Sequence, residues 1–219
     1  MKPLNEYYKN RLLLDFYQNN NVCEVARQLI GKVLITCFEN TLTAGRIVET
    51  EAYNGVVDKA SHAYGGRFTN RTAVMYEPGG IAYVYLCYGI HHLFNVVTNE
   101  ASVPHAVLIR GIEPVDGVAH MLHRFKKVKF DHSIGRGPGN VTKALNIKTG
   151  HTGTSLLESS IFISNDGWKT SKTNILATPR IGVDYAEEDA ALPYRFILKG
   201  NPHVTQSPCN KGTLKTSDS

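Results

Sequence analysis

The chain is poor in the residues that would build a disulfide scaffold or a membrane protein. Only four of its 219 residues are cysteine, at positions 23, 37, 87 and 209, with no CxxC pair and no short ligand cluster. That scatter excludes a zinc module, and in a chain this long it points to free thiols rather than a disulfide framework. No apolar run approaches the roughly 18 uncharged residues of a membrane span. The first residues, Met1-Lys2-Pro3-Leu4-Asn5-Glu6, carry no apolar stretch of the signal-peptide kind. The expectation is an intracellular protein with no metal and no membrane contact.

Charge is not scarce but uneven. The net charge is +5, yet residues 121–172 hold nine Lys/Arg against three acids, while residues 41–120 hold five against seven. A basic surface beside a more acidic, aromatic-rich centre follows, which suits a polyanionic partner or a merely solvated basic face equally well. With 42% hydrophobic and 20% charged residues the chain can bury a core.

The pattern predicts one α+β domain with a curved, mainly antiparallel β-sheet flanked by helices. Residues 1–20 read as an arm carrying Tyr7, Tyr8, Leu12, Leu13, Leu14 and Phe16. Asn21 with Glu24 three positions on reads as a helix start, and Gly31 as its stop. Short Val/Ile/Tyr-rich runs predict strands at 32–38, 45–50, 81–88, 93–98, 106–110, 161–164 and 195–198. Helices are expected from Pro114 to about Phe125 and from Asn140 to Leu145, and the polar residues 209–219 read as a flexible C-terminal tail.

The central third carries the chemistry. Strand alternation places Glu49, Glu51 and Tyr53 on one face. For a pair of strand carboxylates the ordinary reading is that Glu49 pairs with a basic group and Glu51 faces water. The alternative is that one of them is used; as a pair they would also fit the two carboxylates of a glycoside hydrolase. His62 precedes Gly65-Gly66, where the backbone can turn sharply or approach a ligand. Tyr83 and Tyr85 share a face, and Tyr88-Gly89 marks a break; such rings either fill a core or sandwich a planar base. Arg110 ends an apolar strand and needs an acidic or water partner, Glu113 among the candidates.

Taken in order, these residues resemble the alkyladenine (3-methyladenine) DNA glycosylases of the mammalian type, also found in bacteria. The resemblance rests on Gly45-Arg46-Ile47-Val48-Glu49-Thr50-Glu51-Ala52-Tyr53, on His62 with Gly65-Gly66-Arg67, and on Pro78-Gly79. It continues through Tyr83-Val84-Tyr85, Tyr88-Gly89, Asn95 and Leu108-Ile109-Arg110-Gly111-Ile112-Glu113-Pro114, and more thinly to Arg195-Phe196. It implies a DNA glycosylase domain at residues 21–208 that removes damaged purines without a cofactor or metal. It implies a monomer whose partner is double-stranded DNA containing damaged purines, in the cytoplasm or nucleoid of a bacterium. By position, Glu51 matches the base that activates water and Arg110 a residue holding that water. Ile181 matches a position whose carbonyl contacts the water. Tyr53, His62 and Tyr85 match the walls of the base pocket, Asn95 a guard of that pocket, and Tyr88 the side chain that intercalates into DNA. Arg136, Gly137, Gly139 and Lys143 lie in the basic segment expected to meet phosphates. The loop from Arg67 to Pro78 is about one residue shorter than in the mammalian type, which leaves the substrate range open. A binder of damaged DNA without base release is the rival from another class.

Overall fold

The computed structural model describes residues 3–207; the expected tail at 209–219 and Cys209 lie outside the described residues. The three described cysteines are free thiols. Two short helices, α1 (Leu4–Lys9) and α2 (Leu14–Tyr17), lead into α3 (Val22–Leu29). The Asn21 side chain accepts from the Glu24 N–H at 3.0 Å, which supplies one of the acceptors a helix start lacks. Gly31 turns the chain out of α3 at φ +88°, and a Cβ there would lie 2.6 Å from the Trp168 ring.

Eight strands follow in an open sheet in which every pairing is antiparallel. They are β1 (Val33–Phe38), β2 (Thr41–Tyr53), β3 (Ile81–Cys87), β4 (His91–Thr98), β5 (His105–Asp116), β6 (Ile161–Ser164), β7 (Ile175–Thr178) and β8 (Arg195–Leu198). The main path runs β3-β4-β5-β2-β1-β6, with β8 also on β2 and β7 on β8. One edge of β2 is therefore shared: β1 pairs with residues 41–46 and β8 with residues 49–51. Helices α4 (Val118–Phe125) and α5 (Pro138–Leu145) complete the domain.

The two-residue period sorts the sheet into faces with different jobs. Ala82, Val84, Phe94, Val96, Val107 and Ile109 point into the main core, where they meet Val22, Val25, Leu29, Val141 and Leu145 of the helices. Their neighbours Tyr83, Tyr85, Leu93, Asn95, Leu108 and Arg110 point the other way. That second face packs a smaller cluster of its own, in which Tyr83 meets Ala63, Met75, Val97 and Ala106. At α1, the Tyr7 hydroxyl donates to Asp116 at 2.7 Å, tying the arm to the end of β5.

Two expectations need correction, and one strand has no counterpart in the sequence analysis. Pro114 does not open a helix: β5 runs on to Asp116, and α4 begins only at Val118. Pro114 sits opposite Gly45 beside a register shift, where the ladder tolerates a residue with no N–H to donate. Strand β2 is 13 residues long rather than six, because Gly45 lies inside the strand. Strand β7 was not read from the sequence; its Ile-Leu-Ala-Thr run is too short to show a period.

Candidate active site

Strand β2 is irregular where the site lies. Its register with β5 shifts between Ile47 and Glu49 and again between Glu49 and Thr50, so that Arg110 falls between Gly111 and Ile109 without a partner in the register. Bulges of this kind bend a strand and re-aim side chains. Here both carboxylates of β2 reach one guanidinium. Arg110 donates from Nε to Glu49 Oε1 at 3.1 Å and from Nη1 to Glu51 Oε2 at 3.3 Å.

Glu49 is fully buried and further held by Arg195 Nε at 2.7 Å and the Thr205 N–H at 2.7 Å. Arg195, also fully buried, donates in addition to Thr205 O at 2.6 Å and Ser207 Oγ at 3.1 Å. Two arginines against two glutamates make the cluster neutral, which is the condition for burying charge at tolerable cost. Glu49 does meet the basic partner expected for it, but Glu51 does not face water. It too is fully buried. The Tyr53 hydroxyl donates to Glu51 Oε2 at 2.9 Å and the Ile181 N–H to Oε1 at 2.8 Å. Burial, the Glu51 charge and Tyr85 push the Tyr53 phenol well above its ordinary range, so it stays a donor. Ile181 therefore meets Glu51 through its N–H.

In front of this cluster lies a cleft of about 620 Å³, lined among others by Tyr53, His62, Tyr85, Tyr88, Arg110 and Ile181. Glu51 stands directly behind that wall, since the three residues that bond it all line the cleft. Asn95 does not border the cleft. It is buried at the rear, bordering a small cavity of about 40 Å³ with Tyr53, His62 and Tyr85, and its Nδ2 donates to Tyr83 O at 3.1 Å. His62 stands edge-on to Tyr85, ring centres 4.7 Å apart. Its Nε2 contacts Arg71 Nη2 at 3.2 Å and its Nδ1 the Tyr83 hydroxyl at 2.8 Å. A guanidinium can only donate, so the Arg71 contact places the ring proton on Nδ1. Burial, with help from Arg71 and Arg67, lowers the His62 pKa to about 4 and keeps the ring neutral.

Tyr88 tops the hairpin between β3 and β4 and is 92% exposed. It and Gly89 both have positive φ, +51° and +72°, as the central residues of a type I′ turn do. A bulky residue is uncommon in that conformation, and here its ring stands in solvent. Across the cleft, Arg136, Gly137 and Gly139 form the opposite lip at the start of α5. Gly139 is required by close approach, since a Cβ would lie 2.9 Å from His91 Nδ1. The Arg136 guanidinium bonds the Pro202 carbonyl. Lys143 sits one turn further along, in the neighbouring groove and over the Phe125 ring at 4.6 Å.

Several participants escaped the sequence reading. Arg180 forms a two-pronged pair with Asp58, at 2.6 and 2.9 Å, and lies over the Tyr53 ring at 4.9 Å. No local signal links residues 122 positions apart. Arg71 and Tyr185 line the cleft from irregular segments without periodicity. Among the described residues no group of His, Cys, Asp and Glu could hold a metal ion.

Comparison with known proteins gives a consistent result. The family model for methylpurine-DNA glycosylase matches residues 15–202. A relative from Chlamydia felis is 48% identical over 184 residues, which cover 84% of this chain and 93% of the relative. One from Clostridium perfringens is 41% identical over 204 residues, 90% of this chain and 99% of the relative. One from Bacillus cereus is 42% identical over 199 residues, 87% and 97% respectively. All three are provisionally named 3-methyladenine DNA glycosylases. On the extent of these matches, the chain belongs to the methylpurine-DNA glycosylase family.

Proposed function

We propose that the chain is a DNA glycosylase that takes an alkylated or deaminated purine out of the duplex and hydrolyses its N-glycosidic bond with an activated water. The observation that carries this reading is the placement of a buried carboxylate, Glu51, immediately behind an aromatic-walled cleft of about 620 Å³, ample for a purine. The names of the relatives supply the substrate class.

A base inside a duplex is out of reach and must be everted at a cost of a few kcal/mol. Tyr88, projecting from the hairpin turn, is suited to fill the vacated stack and offset that cost. Tyr85 and Tyr53 offer ring faces for the everted base, and such stacking contributes about 1–3 kcal/mol per base without reading sequence. Glu51 accepts three hydrogen bonds; a carboxylate offers about four lone-pair positions, so one stays open for a water. That water gives its proton to Glu51 as its oxygen bonds to the sugar carbon C1′. The bond from C1′ to the purine nitrogen breaks and its electron pair leaves with the base. Arg110 and the Ile181 N–H fix the carboxylate in place, and a positioned base of this kind contributes about 10²–10⁴-fold. Among the described residues no lysine lines the cleft, so none of them offers a Schiff-base nucleophile there. The phosphates flanking the lesion would lie on the lip at Arg136–Gly139 and on the basic segment beyond it, Lys143 included.

The test is a panel of duplexes, each with one modified purine, incubated with the protein and assayed for free base and for strand breaks. The expected result is free base with intact strands until alkali or heat is applied. Lesion-dependent binding with no base released from any duplex would favour the non-catalytic binder and refute this reading.

A further inference from the structure

The charges around the cleft are one-sided. Three of the described lining residues are arginines, Arg71, Arg110 and Arg136, and none carries a carboxylate. Arg110 is balanced by Glu49 and Glu51 behind the wall. Arg71 is not balanced in that way: its guanidinium lies over the Tyr85 ring at 4.9 Å and donates to His62 Nε2, both neutral groups. It therefore holds an uncompensated positive charge against two walls of the base pocket. A guanidinium stays charged at any working pH and only donates hydrogen bonds.

We propose that Arg71 is a specificity-determining residue of the cleft, favouring neutral damaged purines with an acceptor edge, such as a 6-keto oxygen, over purines bearing a fixed positive charge. The inference rests on the glycosylase reading above. Two effects act in the same direction. A cationic N-alkylated purine is repelled by Arg71 as it enters, whereas a keto oxygen can accept from it. Either kind of base gains one unit of negative charge as the bond to C1′ breaks, so a fixed cation favours the departure of both, and the discrimination comes from the extra positive charge that only the cationic base carries into the cleft. The face of Tyr85 that would attract a cationic base is also contested, because Arg71 already makes a cation–π contact with that ring. Between partly exposed charges a few ångströms apart, the discrimination amounts to roughly tenfold.

The experiment compares kcat/KM for base release from two duplexes that differ only in the lesion, hypoxanthine in one and 7-methylguanine in the other. The unaltered chain, Arg71→Gln and Arg71→Lys are each assayed on both. Arg71 lies exposed in a surface loop, so the substitutions leave folding intact, which thermal melting checks. In Arg71→Gln the ratio of cationic to neutral lesion release is expected to rise roughly tenfold. In Arg71→Lys, which keeps the charge, the ratio is expected to stay near that of the unaltered chain. A ratio unchanged in Arg71→Gln, or shifted equally by both substitutions, would overturn the role of Arg71 while leaving the glycosylase reading intact. Failure of the unaltered chain to release either base would overturn that reading, and this inference with it.

Discussion

Glu49 is the keystone of the buried charge cluster, and its removal has a calculable effect. Its carboxylate is fully buried and accepts from Arg110, Arg195 and the Thr205 N–H. Glu49→Ala deletes all three bonds and leaves two buried guanidiniums facing one remaining carboxylate, Glu51. Breaking a buried pair from one side costs about 3–5 kcal/mol, because the partner's charge stays behind without compensation. That is a large share of a total stability of about 5–15 kcal/mol. For a chain of this length each kcal/mol lowers Tm by about 2–4 °C, so a fall of roughly 6–20 °C is expected. Thermal melting and urea unfolding should agree on it. Adding Arg195→Met to Glu49→Ala removes one of the stranded charges and should recover part of the loss, since an apolar replacement of a buried pair is often close to neutral. A melting temperature for Glu49→Ala within about 2 °C of the unaltered chain would refute the reasoning.

Other outcomes follow from single residues. Tyr88→Ala should change stability by no more than about 0.5 kcal/mol, because the ring is almost wholly exposed. It should nevertheless weaken binding to a lesion in duplex DNA by about 1–3 kcal/mol and to the same lesion in a single strand by less; equal losses in a gel-shift titration would remove the wedge role. Gly79→Ala should destabilise by about 1–3 kcal/mol, since the new Cβ would meet the Tyr17 carbonyl oxygen at 2.6 Å and Asn99 O at 3.0 Å; an unchanged urea midpoint would contradict it. The His62 pKa of about 4 lies below its ordinary 6.5, so the unfolded chain takes up that proton first. The stability it represents is fully present above about pH 6.5 and is lost as pH falls toward 4, about 3 kcal/mol in all. His62→Gln should show a shallower decline over that window, and an NMR titration of His62 with a midpoint near 6.5 would contradict the neutral ring. Binding to DNA should weaken steeply with salt if the basic segment holds phosphates, and a flat response would count against that surface.

Much of the fold was legible because it rests on local rules. Asn21 and Glu24 announced α3 by capping chemistry, and the alternation of Tyr83 and Tyr85 with Val84 announced a strand with two different faces. The same alternation aligned Glu49, Glu51 and Tyr53, and the structure brings all three to Arg110 or to one another. What was not legible depends on distance. The reversal of Pro114 from helix start to strand residue depends on a register shift against Gly45, about 70 positions away in the chain, which no local pattern reports. Burial of Glu51 depends on Ile181 returning from the far end of the chain to donate its N–H. The family resemblance concerns the carbonyl of Ile181; the contact that three-dimensional geometry reveals is made by its amide. Asn95, placed in the base pocket by its position in the motif, lies opposite Tyr83 in the ladder and borders a small cavity together with Tyr53, His62 and Tyr85, a grouping that only sheet register brings about.

The most direct test of the account replaces one atom group. Glu51→Gln keeps the shape of the side chain and removes its ability to take a proton from water. Incubated with a duplex bearing a single damaged purine that the unaltered chain excises, this variant should bind the lesion and release no free base. Release at the unaltered rate would contradict the account, since it would leave the buried carboxylate without a part in the chemistry.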